Sequence, residues 1–146
     1  EELYDIILRE CIAYGIGMRD AARIDEINIL QATYEAMRDA VAALDVLPDV
    51  LLNDAVTIPG LSMKQVPIVK GDAKSISIAA ASIVAKVTRD RMMVLYEEEF
   101  PGYGFASNKG YGSEKDCSKY IFHVGYIWYG KYIKANEKKM PEWRNF

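Results

Sequence analysis

Residues 70–91 read K-G-D-A-K-S-I-S-I-A-A-A-S-I-V-A-K-V-T-R-D-R, and the change of character after the fifth position decides the kind of fold. Lys70 to Lys74 is a polar, glycine-containing turn holding one carboxylate, Asp72, between two lysines. From Ser75 a run of Ala, Ser and aliphatic residues predicts a helix reaching Glu99, where Phe100-Pro101-Gly102-Tyr103-Gly104 stops it. The first half of that helix is rich enough in small residues for neighbouring backbone to approach closely. Glu97-Glu98-Glu99 puts unfavourable charge at its C-terminus. Val66 to Val69 predicts a short strand ahead of the turn, so the order is strand, polar turn, helix. A carboxylate in that turn, with Lys86, Arg89 and Arg91 further on, has the make-up of a site for metal-assisted chemistry on a phosphate backbone. On spacing alone, a buried helix behind a polar loop is the simpler description.

Upstream, Val50-Leu51-Leu52 is a continuous apolar run, the pattern of a strand buried on both faces of a helix-covered sheet. It delivers Asn53 and Asp54 at its C-terminal end, where ligand sites of open α/β sheets gather. Asp72 follows 18 residues later, and adjacent strand ends can bring two such carboxylates close together. Both stay ionised cheaply only with a cation between them. Hard oxygen ligands at a basic site point to Mg²⁺ or Mn²⁺ rather than zinc. A pair of such ions stabilises both the attacking water and the leaving oxygen in phosphodiester hydrolysis. Two carboxylates are too few to hold two ions.

Earlier in the chain, Leu3, Ile6, Ile7, Cys11 and Tyr14 form an apolar helical stripe, and Gly15-Ile16-Gly17-Met18 predicts a short strand. Asp20 caps a helical turn to Ile27. A longer helix runs from about Asn28, its cap, to Leu44, with Ile29, Ala32, Thr33, Ala36, Met37, Ala40 and Leu44 on one face. Helices and short strands in alternation give an α/β fold.

The length, 146 residues, is one domain's worth. No apolar run approaches the ~20 residues of a membrane span, and no signal peptide is visible. Cys11 and Cys117 have no metal-ligand spacing and read as reduced thiols of a cytoplasmic protein. A monomer without an organic cofactor or a membrane partner is expected. Residues 1–61 carry 4 basic and 12 acidic groups, residues 62–146 carry 14 and 9. A polyanion would therefore meet the second part, although a solvated basic surface has the same composition. From Asp116 onward eight aromatics crowd 31 residues without a helical or strand period, and the lone His123 among them has no catalytic partner in view.

Four stretches together resemble the type 2 ribonuclease H family, most closely bacterial ribonuclease HII. They are Ile24 to Thr33, Leu51-Leu52-Asn53-Asp54-Ala55, the Lys70–Arg91 block, and Phe100 to Phe105 with Asn108-Lys109-Gly110-Tyr111-Gly112. The resemblance covers roughly residues 1–115. It implies an α/β, ribonuclease H-like mixed sheet flanked by helices. It also implies an endoribonuclease that cleaves the RNA strand of RNA–DNA hybrids, including ribonucleotides embedded in DNA, and leaves 5′-phosphate and 3′-hydroxyl ends with Mg²⁺ or Mn²⁺. By resemblance, Asp54 and Asp72 are the third and fourth of four acidic metal ligands. Tyr111 is similar to the family tyrosine that packs on the sugar at the ribonucleotide–deoxyribonucleotide junction, and Lys86 and Lys109 are candidate phosphate contacts.

The chain departs from the family pattern at both ends. The family's first two acids lie in an Asp-Glu-x-Gly-Arg-Gly motif on the first strand, which does not occur here. The His-Arg pair expected after Gly110-Tyr111-Gly112 is missing too. The expectation is an N-terminally truncated catalytic domain over 1–115, followed by an atypical tail over 116–146, with little or no activity of its own. The rival, from a different class, is a non-catalytic α/β domain that binds nucleic acid or protein through its basic second half. A third reading has the aromatic tail packing on the sheet edge that a missing strand would leave.

Overall fold

The computed structural model of this chain describes residues 2–109 and 130–133. Strand β1 (Tyr14–Gly17) lies against helix α3 (Ile29–Ala42), and small residues make that contact possible. Ala32, Ala36 and Ala40, one turn apart, are completely buried. A Cβ added at Gly15 would strike the carbonyl of Ala40, and one at Gly17 the carbonyl of Ala36. Glycine on the strand and alanine on the helix thus let two backbones meet with almost nothing between them.

Helix α1 (Glu2–Glu10) ends before Cys11, and Tyr14 belongs to β1, so the apolar stripe read through Tyr14 is shorter than expected. Helix α2 (Ala21–Ile27) starts at Asp20, whose carboxylate accepts the Arg23 amide at 2.8 Å. Asn28 caps α3, its side-chain oxygen accepting from Leu30 and Gln31 at 3.0 and 3.1 Å. Arg19 and Arg23 converge on Glu35 of α3. Arg19 Nε is 2.8 Å from the Glu35 carboxylate and Arg23 Nη2 2.6 Å, so two guanidinium groups hold the turn and α2 against the helix.

Strand β2 (Val50–Asp54) pairs in parallel with β3 (Lys64–Ile68), with Asp54 opposite Ile68. Leu51 is fully buried in a core with Ala13, Val41, Leu44 and Ile58. Val50 on the other face is 40% exposed and Leu52 half-buried. The run expected to be buried on both faces therefore alternates, since among the described residues the core covers only the Leu51–Asn53 side. β1 forms a separate antiparallel pair with β4 (Gly130–Ile133). The expected mixed α/β composition is present. Among the described residues, its ladders are one parallel and one antiparallel pair rather than a single sheet. Of residues 116–146, only 130–133 are described, and they lie beside β1.

Beyond β3 come the single turn α4 (Gly71–Lys74), the 24-residue helix α5 (Ile76–Glu99) and the turn α6 (Phe105–Asn108). Ser75 caps α5 and separates it from α4. Arg91 of α5 stacks over the ring of Tyr4 at 4.5 Å, joining α1 to the long helix. Among the described residues, no helix is long and apolar enough to cross a membrane.

Candidate functional site

The parallel pairing of β2 and β3 brings two loops to the same end of the ladder, one carrying Asp54 and the other Asp72. Asp54 Oδ1 accepts the backbone N–H of Gly71 at 2.9 Å, so the first carboxylate is bonded to the residue directly before the second. Gly71 is buried against it. A Cβ there would come within 2.5 Å of Ile78 Cδ1 and 3.4 Å of the Asp54 Cα and Oδ1. Glycine lets the turn sit this close without moving Ile78. The Asp72 carboxylate is exposed and makes a local 2.9 Å bond with the Ala73 amide.

Both loops leave their strands through left-handed residues that are not glycine, Ala55 at φ 59° and Lys70 at φ 55°. Such backbone costs about 1–2 kcal/mol per residue and persists where surroundings over-determine it. At Ala55 the surroundings are visible, because its amide donates to the Ile68 carbonyl at 3.1 Å and extends the ladder one step past Asp54.

The strand behind Asp54 is fixed by a carboxamide that the sequence did not single out. Gln65 Oε1 accepts from Asn53 Nδ2 at 2.9 Å and from the Ile58 amide at 2.8 Å, while Gln65 Nε2 donates to the Ile58 carbonyl at 2.9 Å. Asn53, next to Asp54, is 5% exposed. The available signal was a polar residue in a strand otherwise able to bury that face.

The basic groups divide between the long helix and the turn. Lys86 is exposed and pairs with Asp90 at 3.5 Å, and Arg89 lies 3.8 Å from the same carboxylate. Ten residues of helix separate Ile76 from Lys86, about 15 Å at 1.5 Å per residue. Lys86 therefore stands along the helix from Asp72 rather than beside it, and Lys70 and Lys74 are the cations of the turn itself. Lys109 ends α6 in a left-handed conformation (φ 52°), half-buried. Its segment is anchored by aromatics, with the Tyr103 and Phe105 rings stacked at 5.4 Å and Tyr96 meeting Phe105 edge-on at 6.4 Å. Glu97 reaches out of α5 to accept from the Gly102 and Ala106 amides at 3.3 and 3.4 Å. The acidic helix end that looked unfavourable thus serves the next turn. Tyr111 lies outside the described residues.

Asp54 and Asp72 offer hard carboxylate oxygens beside lysines, a donor set that suits Mg²⁺ or Mn²⁺ and not zinc. Among the described residues, no group of three acidic, His or Cys side chains is placed to hold an ion. Among the described residues the set is of the right kind and numbers two carboxylates.

A family model described as Ribonuclease HII matches residues 1–136. A ribonuclease HII of Lachnoclostridium phytofermentans is 72% identical over 113 residues, covering 77% of this chain and 44% of that protein. One from Clostridioides difficile is 56% identical over 115 residues, covering 79% and 45%. One from Citrifermentans bemidjiense is 58% identical over 109 residues, covering 75% and 47%. The chain spans about half the length of the curated relatives it matches.

Proposed function

The chain belongs to the ribonuclease HII family, and we propose that it carries the second half of a metal-assisted endoribonuclease site. The substrate would be the RNA strand of RNA–DNA hybrids, including ribonucleotides embedded in DNA, and the products 5′-phosphate and 3′-hydroxyl ends. The enzyme would act as a monomer in the cytoplasm. The observation that supports this reading is the convergence of Asp54 and Asp72 at one end of β2 and β3, tied by the Asp54–Gly71 hydrogen bond.

In this reading Asp54 and Asp72 hold the divalent cation, Mg²⁺ or Mn²⁺. Such an ion supplies Lewis-acid polarisation of the phosphate and a more acidic water. Lys109 meets a phosphate near the site, Lys86 one further along the duplex, and Tyr111 packs on the sugar at the junction. With two acidic ligands among the described residues, turnover by this chain alone would be weak or absent.

The test is cleavage of an end-labelled RNA–DNA hybrid in Mg²⁺ and in Mn²⁺. The chain would be assayed alone, and after fusion to an N-terminal segment bearing Asp-Glu-x-Gly-Arg-Gly. The expected result is cleavage by the fusion, little by the chain alone, and loss of both on Asp54→Asn or Asp72→Asn. Cleavage by the fusion that survived both substitutions would sink the assignment. Salt-dependent hybrid binding indifferent to Asp54→Asn and to metal would favour the non-catalytic binding domain instead.

A further inference from the structure

We propose that Gln65 is a positioning residue for the Asp54 carboxylate, an inference that rests on the reading of Asp54 as a metal ligand. Three observations carry it. Gln65 spends its acceptor oxygen on Asn53, the residue directly before Asp54, and on the Ile58 amide. Its donor nitrogen goes to the Ile58 carbonyl, so one side chain satisfies both backbone groups of a residue that is 1% exposed. Ile58 belongs to the segment that returns from Asp54 toward β3, and Asn53 directly precedes Asp54, the last residue of β2. One carboxamide thus holds the chain on both sides of the carboxylate.

The lever arm is short. Alternation along β2 turns Asn53 into the interior and Asp54 outward, so immobilising Asn53 fixes the backbone from which Asp54 projects. The other end of that projection is the 2.9 Å bond to the Gly71 amide. If Gln65 released Ile58, its buried amide and carbonyl would be left to find new partners, and the segment after Asp54 would shift to provide them. The first bond to feel that shift is Asp54–Gly71, and Gly71 is buried with Ile78 packed beside it.

The Gly71 amide gives a readout that needs neither metal nor turnover. Its hydrogen exchange would be followed by NMR in the full chain, metal-free, for the wild type, Gln65→Met, Gln65→Glu and Met93→Ala. Gln65→Met keeps side-chain length and removes the carboxamide, whereas Gln65→Glu keeps an acceptor for Asn53 and Ile58. Met93 is buried on α5, and Met93→Ala serves as a general destabilisation control. We expect Gln65→Met to speed Gly71 exchange about tenfold beyond its effect on global stability, the scale of one lost buried hydrogen bond. Gln65→Glu, which loses the donation to the Ile58 carbonyl but keeps both acceptor contacts, should speed Gly71 exchange less than Gln65→Met, and Met93→Ala should change Gly71 only as much as it changes the whole. Unchanged Gly71 exchange in Gln65→Met, or equal acceleration in Met93→Ala, overturns the proposal. Should Gln65→Met fail to fold, Gln65→Glu decides it through the lost donation to the Ile58 carbonyl: acceleration at Gly71 beyond that of the whole chain supports positioning, and acceleration no larger than the whole chain's refutes it. Mn²⁺ broadening of the Gly71 and Asp72 amides, measured on the same samples, tests the ligand reading separately. Absence of Mn²⁺ broadening sensitive to Asp54→Asn would remove the metal site and leave the exchange result standing.

Discussion

Asp54 Oδ1 accepts the Gly71 amide at 2.9 Å, linking the end of one parallel strand to the turn that follows its neighbour. The bond needs an oxygen and not a charge, so structure and chemistry can be separated at this residue. Asp54→Asn retains an acceptor and is expected to unfold in urea within about 0.5 kcal/mol of the wild type. Asp54→Ala removes the acceptor and should cost about 1–2 kcal/mol. Both should lose Mn²⁺ binding alike. Asp72, whose carboxylate is exposed and bonded only to the neighbouring amide among the contacts described, should tolerate Asn or Ala with little change in stability.

Gly71→Ala probes the same contact from the other side. The new methyl would sit 2.5 Å from Ile78 Cδ1 and 3.4 Å from Asp54, and overpacking of that kind costs about 1–3 kcal/mol. The companion Ile78→Val should recover part of the loss by clearing Cδ1. Denaturant unfolding of the single and double variants measures both.

Lys70 is left-handed at φ 55° and exposed beside Asp72. Lys70→Gly relieves that backbone and should raise stability by up to about 1 kcal/mol. It also removes a cation from the turn. Hybrid binding should weaken, with the slope of log affinity against log salt falling by about one for a lysine that meets a phosphate. An unchanged slope would leave Lys70 with a backbone role alone.

The parts of this site legible in the sequence are those set by local rules. Asp20 and Asn28 announce helix starts because a short polar side chain satisfies free amides. The strand ends at Asp54 and before Asp72 follow from apolar runs stopped by polar ones. Gln65 and Glu35 were not legible, because their partners lie 7 to 16 positions away and only the folded chain brings them together. Ala32, Ala36 and Ala40 were legible as one helix face, but their packing on Gly15 and Gly17 was not, because composition shows that a backbone can approach and not which one. Asn28→Ala tests the local kind of knowledge. It loses two capping bonds and places alanine at φ 70°, for about 2 kcal/mol, whereas Asn28→Gly, which accepts that backbone, should cost under about 1 kcal/mol.

Glu35 tests the non-local kind, through pH. Hydrogen bonds from Arg23 and then Arg19 hold its carboxyl at about 2, well below the ordinary 4.5. The folded state therefore releases this proton more readily than the unfolded chain. Its contribution to stability is complete above about 4.5 and is lost as pH falls toward about 2. Glu35→Gln keeps the shape and loses the ionised partner of both guanidinium groups. It should melt below the wild type at pH 7, and the two melting curves should converge as the pH is taken from 4.5 to 2. A gap that stayed constant through that range would mean that packing of Arg19 and Arg23 on α3, and not the charge of Glu35, joins α2 to the helix.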